Sequence, residues 1–206
     1  MTEIDAKTVM RLREMTGAPM MDCKQALKEA GGDTEKAKDV LRKKGKQLAD
    51  KASSREVKEG KLFSYVHHNG KLAVLVEIVC ETDFVAKNEE FNAFGKGLCF
   101  TVAASNPPVA FLNRDAVDPA AVAKEREIVL AQSQETMKGK PQQVIDKAVE
   151  GRMEKFFAEK CLMETAYVDP SGQGELRTVE QRRTELVGKI GENIQVRRFV
   201  RMELGG

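Results

Sequence analysis

Apolar residues along this chain recur first at helical spacing, then at strand spacing, then at helical spacing again. Val9 and Leu12 share one face of a helix expected from about Asp5 to Thr16. The stretch Thr16-Gly17-Ala18-Pro19 breaks it, because glycine ends helices and proline suits the first turn of the next. Met20, Cys23, Leu27 and Ala30 then fall at helical spacing, and Gly31-Gly32-Asp33 breaks that helix. Asp33 can cap a third, whose apolar set is Ala37, Val40 and Leu41, by accepting a backbone N–H. Residues 1–45 therefore read as a small three-helix bundle with a thin core. Residues 42–58 hold seven basic and two acidic side chains with little apolar periodicity, so 46–58 reads as a basic, partly helical linker.

Strand spacing takes over in the next segment. Two apolar runs flank His68-Asn69-Gly70-Lys71, and Asn-Gly supplies the two positive-φ positions of a type I′ hairpin turn. The second run, Leu72 to Cys80, reads as a buried strand and stops at Glu81-Thr82-Asp83. From Asp83 the spacing is helical again, with Phe91, Phe94, Leu98 and Val102 on one face, until Pro107 and Pro108 end it. Pro119 and Pro141 each open a further helix, and a turn or mobile loop is expected at 169–174. A last helix runs to Gly191, and Ile194, Val196, Val200 and Met202 then alternate with polar residues as a strand does. Residues 59–206 thus read as an α+β core domain, a small antiparallel sheet packed on helices.

Composition narrows the class of function. The chain has 206 residues, 41% hydrophobic and 32% charged, enough to bury a real core. Its 34 basic and 32 acidic residues leave +2, too little to recruit nucleic acid or a membrane surface through a global field. No run approaches the ~18 apolar residues of a membrane span, and the N-terminus has no apolar signal core, so a cytoplasmic location is expected. Cys23, Cys80, Cys99 and Cys161 form no C-x-x-C pair, and His67 and His68 are the only histidines. Buried reduced thiols are expected rather than a metal site.

No catalytic constellation emerges. Gly95-Lys96-Gly97 lies inside a helical stretch and lacks the context of a phosphate loop. No nucleophile has a nearby histidine with a carboxylate to orient it, and the carboxylates sit mostly at exposed helical positions. No catalytic residue, metal or cofactor is assigned, and a binder is expected rather than an enzyme. The basic linker leaves a scaffold or RNA-associated module as the alternative, weakened because no aromatic residues interleave its lysines to stack on bases. Phe84 stands apart. It lies seven residues before Phe91 and so can extend the same buried face. With Thr82 or Asp83 as N-cap, however, it stands in a first turn and can project past the helix end.

Four stretches, in order along nearly the whole chain, resemble the bacterial elongation factor Ts family. They are LREMTGAPMMDCKQALKEAGGDTEKAKDVLRKKG (12–45), EIVCETDFVAKN (77–88), GKPQQVIDKAVEGRMEKFFAEKCLMETAYV (139–168) and KIGENIQVRRFVRMELG (189–205). The resemblance implies a guanine-nucleotide exchange factor that binds GDP-bound elongation factor Tu, acts by binding, and is displaced by GTP. It implies a bundle similar to ubiquitin-associated domains. It places Thr82, Asp83, Phe84 and Val85 beside the partner's nucleotide site, where the turn disturbs the Mg²⁺ and phosphate environment. It places Val9, Arg11, Leu12, Met20 and Met21 at the bundle's contact with the partner, Met21 ahead of Met20 because Met20 shares the core spacing. No direct nucleic-acid contact is implied. The length matches short members, and a homodimer giving a two-plus-two complex is compatible with that. Two positions depart from the family pattern. Pro19 stands where glycine is usual, which stiffens the docking loop, and Thr101 stands where many members carry histidine.

Overall fold

The computed structural model describes residues 4–172 and 176–205. Among them run eight α-helices and three strands. In chain order these are α1 (Ala6–Thr16), α2 (Met20–Glu29), α3 (Thr34–Ala52), β1 (Glu59–Val66), β2 (Leu72–Cys80), α4 (Asp83–Lys87), α5 (Glu89–Ala104), α6 (Pro119–Thr136), α7 (Gln142–Lys160), α8 (Val179–Ile190) and β3 (Ile194–Glu203). The sheet order is β1-β2-β3. The His67 N–H donates to Leu72 O at 2.8 Å to close the hairpin, and the Leu204 N–H donates to Lys71 O at 2.8 Å where β3 runs back along β2. The fold is α+β with an antiparallel sheet, as the hydrophobic pattern predicts. The chain divides into two compact units, one of Met1–Lys61, Ile78–Phe94 and Gln181–Val196, the other of Leu62–Glu77, Gly95–Glu180 and Arg197–Gly206.

The first unit holds the three-helix bundle. Its core is Val9, Leu12, Cys23, Ala26, Leu27 and Ala37, with Ile4, Ala18, Ala30, Val40 and Leu41 packed against it. Gly17 ends α1 at φ 66°, and its N–H donates to Arg13 O at 2.6 Å. That left-handed stop is cheap only for glycine. Asp33 caps α3, its carboxylate accepting the Glu35 and Lys36 N–H groups at 2.9 and 3.1 Å. The structure differs from the sequence reading after residue 45. Where a linker is expected from 46, α3 continues as one helix through Ala52. The buried face there is built from Gly45, Ala49 and Ala52, residues too small to register as an apolar stripe. Gly45 lies against Gly188 of α8, so close that a Cβ on Gly188 would stand 3.1 Å from the Gly45 Cα. The expected bundle's residues 1–3 lie outside the described residues.

In the second unit Phe63, Val74 and Val76 bury one face of the hairpin, and α5 supplies Leu98, Cys99 and Val102. Gly95 and Gly97 are packing devices: a Cβ at Gly95 would run into the Phe63 ring, and one at Gly97 into Tyr167. Thr101 is buried, donates to Gly97 O at 2.8 Å and accepts the Val168 N–H at 2.9 Å. It is a satisfied core hydroxyl. Helices α6 and α7 pair through Val129, Ile145, Val149 and Met153, with an ion pair between Arg126 and Glu150. Arg114 grips Glu154 and Glu164 and stacks 4.5 Å over the Phe157 ring. The expected turn at 169–174 begins as one, the Gly172 N–H donating to Asp169 O at 3.0 Å, and its positions 173–174 lie outside the described residues.

The outer face of the sheet is apolar where solvent meets it. Leu62 and Val66 alternate with buried Phe63, and Leu75 lies between buried Val74 and Val76. The Glu77–Arg198 ion pair, at 2.5 Å, places Arg198, Val200 and Met202 on the same side as Leu75. Leu62, Val66, Leu75, Val200 and Met202 are all exposed.

Candidate functional site

Strand β2 ends because Glu81 and Thr82 leave the ladder to serve as ligands for other backbone groups. Thr82 has extended φ/ψ and caps α4, its Oγ1 accepting the Val85 N–H at 3.4 Å. The Cys80 thiol donates to Thr82 O at 3.2 Å. Burial, reinforced by the negative charge of Glu192, pushes this thiol from 9.0 up to about 11, so it stays protonated and remains a donor at neutral pH. At the other end of α4 the Asn92 amide donates to Ala86 O at 3.2 Å and Asn88 O at 2.7 Å. Asn88 then caps α5 by accepting the Glu90 N–H at 2.8 Å. A five-residue helix cannot hold itself, since nucleation is costly; side chains at both ends fix this one.

Between those anchors the side chains divide sharply. Val85 is buried and roots the turn. Phe84 is 80% exposed, while Phe91 seven residues on is fully buried. Asp83 accepts from Lys87 Nζ at 2.7 Å. That hydrogen bond and the ammonium charge hold the Asp83 carboxyl below its ordinary 3.8, so it is ionised at neutral pH. The corner thus presents a rigidly based ring beside a carboxylate. It can act as an apolar wedge with an acidic flank. Of the four residues expected there, Thr82 shapes the corner, Asp83 and Phe84 face outward, and Val85 faces inward.

The bundle residues divide in the same way. Val9 and Leu12, expected at a contact surface, lie instead in the bundle's own core at 5% and 0% exposure. Arg11 is exposed. Met21 is the more exposed methionine, and Met20, which spacing puts with the core, is exposed too. It shares the face of Cys23 and Leu27 but stands at the first position of α2, directly after Pro19, where the helix end leaves it open to solvent. Sequence reasoning passed over Met10 and Met15, both exposed on α1. The available signal was two large apolar residues off the Val9–Leu12 face. Among the described residues no helix is long and apolar enough to cross a membrane.

Comparison with known proteins gives a consistent family. The model of the Elongation factor TS family matches residues 11–173. The Elongation factor Ts of Thermoanaerobacter sp. (strain X514) is 50% identical over 203 residues, covering 98% of this chain and 95% of that protein. That of Desulforamulus reducens is 48% identical over 205 residues, covering 100% and 91%. That of Fervidobacterium nodosum is 47% identical over 203 residues, covering 98% and 99%.

Proposed function

Because this chain belongs to the elongation factor Ts family, a family of translation elongation factors, we propose that it binds elongation factor Tu in its GDP-bound state and promotes GDP release. The observation that carries this reading is Phe84, a large ring held 80% exposed on a capped corner when its own chain offers a core seven residues away.

The physics asks for no bond chemistry. A nucleoside diphosphate is held through phosphate contacts and Mg²⁺. A wedge that binds better when those groups are displaced shifts the partner toward the GDP-free state, and only by its differential affinity. Coupling is reciprocal, so GDP weakens the factor's hold by the same ratio, and GTP entry displaces the factor by the same linkage. Burying one Phe side chain is worth about 1.5–3 kcal/mol, or about 10- to 100-fold in an equilibrium. Thr82, Asp83, Phe84 and Val85 form the wedge, Phe84 inserting, Asp83 flanking, Thr82 and Val85 holding it. The rest of the coupling falls to docking by the core domain and by the bundle, residues 1–45 with the continuation of α3. There exposed Met20, Met21 and Arg11 make contact over the Val9 and Leu12 core. Methionine suits that role because it adapts to an apolar partner surface. The factor works by binding alone, in the cytoplasm where translation proceeds.

A homodimer belongs to the same proposal. The exposed apolar sheet face of Leu62, Val66, Leu75, Val200 and Met202 supports it, since such a face on one chain is covered by its own copy across a two-fold axis. The direct test of the exchange reading is release of labelled GDP from elongation factor Tu, with acceleration at micromolar concentrations of this protein expected and no acceleration overturning it.

A further inference from the structure

The exposed corner is positioned by a carboxylate more than a hundred residues away. Thr82 gives Glu192 both of its donors: its N–H to Oε2 at 3.1 Å and its hydroxyl to Oε1 at 2.7 Å. The neighbouring Glu81 accepts the Asn193 N–H at 2.5 Å and Arg55 Nη1 at 3.0 Å. Arg55 Nη1 also donates to Gly191 O at 3.0 Å, and the Asn193 amide donates to Arg55 O at 2.8 Å. Three chain segments, the exit of α3, the end of β2 and the α8–β3 turn, are thereby knotted under one corner.

We infer that Glu192 is a positioning residue for the Phe84 wedge, acting through Thr82; this rests on the exchange reading above. The hydroxyl of Thr82 has one proton and free lone pairs. Donating that proton to Glu192 fixes its rotamer so that a lone pair meets the Val85 N–H. The same carboxylate takes the Thr82 N–H, which the strand no longer pairs. Charge-assisted hydrogen bonds of this kind are about twice as strong as neutral ones. Phe84 itself is 80% exposed and packs too little to set its own direction. Its direction is therefore inherited from the first turn of α4, and that turn inherits its orientation from Glu192. A wedge that wavers still touches the partner but spends its binding energy on ordering itself, so the loss falls on the release step rather than on encounter.

The test is a set of GDP-release titrations with the full chain, using Phe84→Ala, Glu192→Ala, Glu192→Gln, Thr82→Val, Thr82→Ser and the Thr82→Val/Glu192→Ala pair. Glu192→Ala is expected to lower the maximal release rate about tenfold while the half-saturating concentration changes less than about threefold. Glu192→Gln, which can accept only one of the two donors, should fall between it and the parent, and it serves if the alanine variant fails to fold. Thr82→Ser should restore the parental rate, and the double variant should be no worse than either single one, because the two residues act as one unit. A parental rate in Glu192→Ala beside an impaired Phe84→Ala overturns the positioning role and leaves the exchange reading standing. So does strict additivity, or a fall in rate matched by an equal rise in half-saturation with a lowered melting temperature. A parental rate in Phe84→Ala overturns the wedge and the positioning role together.

Discussion

Phe84 and Phe91 share a helical spacing and opposite fates. Both suit the same buried face by periodicity, and pattern alone favours two core residues. What separates them is the cap: Thr82 starts a helix so short that Phe84 stands in its first turn, and Asn88 starts a second helix in which Phe91 faces inward. Threonine and aspartate at the strand end are visible in the sequence, but the one-residue break at Asn88 that ends the first helix after five residues is not. Truncating Phe84 to alanine is expected to leave thermal stability within about 0.5 kcal/mol of the parent, since an exposed side chain contributes little, and to slow GDP release by about 10-fold or more. A large loss of stability in that variant would return the ring to the core. The thiols give a second residue-scale prediction. Burial raises Cys23 and Cys161 and pushes Cys80 and Cys99 to about 11. Because the folded value lies above the ordinary 9.0, folding keeps these thiols neutral. The contribution of Cys80 and Cys99 to stability is whole below pH 9.0 and is lost as pH rises through about 11. Iodoacetamide at pH 8.5 should therefore label the native chain far more slowly than the urea-denatured chain, and equal rates would contradict the burial.

At the scale of elements, the sequence declares what large side chains do and conceals what small ones do. The hairpin, the α1–α2 break, the Asp33 cap and the prolines opening α6 and near α7 all follow from residue types with strong local preferences. The second half of α3 does not, because Gly45, Ala49 and Ala52 build its buried face, and close helix approach through such residues leaves no apolar stripe to count. Gly95 and Gly97 are equally mute: glycine in a helix reads as a weakness until the Phe63 ring and Tyr167 are found occupying the space of the missing Cβ atoms. This fixes the sign of a substitution. Gly95→Ala gains about 1 kcal/mol of helix propensity but drives a Cβ into a ring that is only 6% exposed, an overpacking cost of about 1–3 kcal/mol. Net destabilisation is expected in a urea titration, and a raised midpoint would show that the Phe63 ring moves aside freely. The Glu192–Thr82 and Glu81–Arg55 contacts were beyond any local reading, since they join positions 110 and 26 residues apart.

For the whole molecule, the family was legible in the four stretches quoted from the sequence, and the fold class in the alternation of periods. The apolar outer face of the sheet was not, because it becomes visible only when the strands are placed in register. Leu75 alternates with buried residues as any half-buried strand residue does, and only the Glu77–Arg198 pair shows that Val200 and Met202 lie beside it. If that face joins two copies, Leu75→Lys should convert a dimer to a folded monomer in sedimentation velocity, with the circular dichroism spectrum unchanged. A parental chain that sediments as a monomer at tens of micromolar would dismiss the dimer and leave exchange untouched. The proposed function stands or falls on GDP release from elongation factor Tu. The most direct measurement is the dissociation rate of a fluorescent GDP from elongation factor Tu, followed by stopped flow as this protein is titrated in. The rate is expected to climb with concentration to a plateau well above the spontaneous one and to collapse toward it with Phe84→Ala. A rate that stays at the spontaneous value across micromolar concentrations would contradict it.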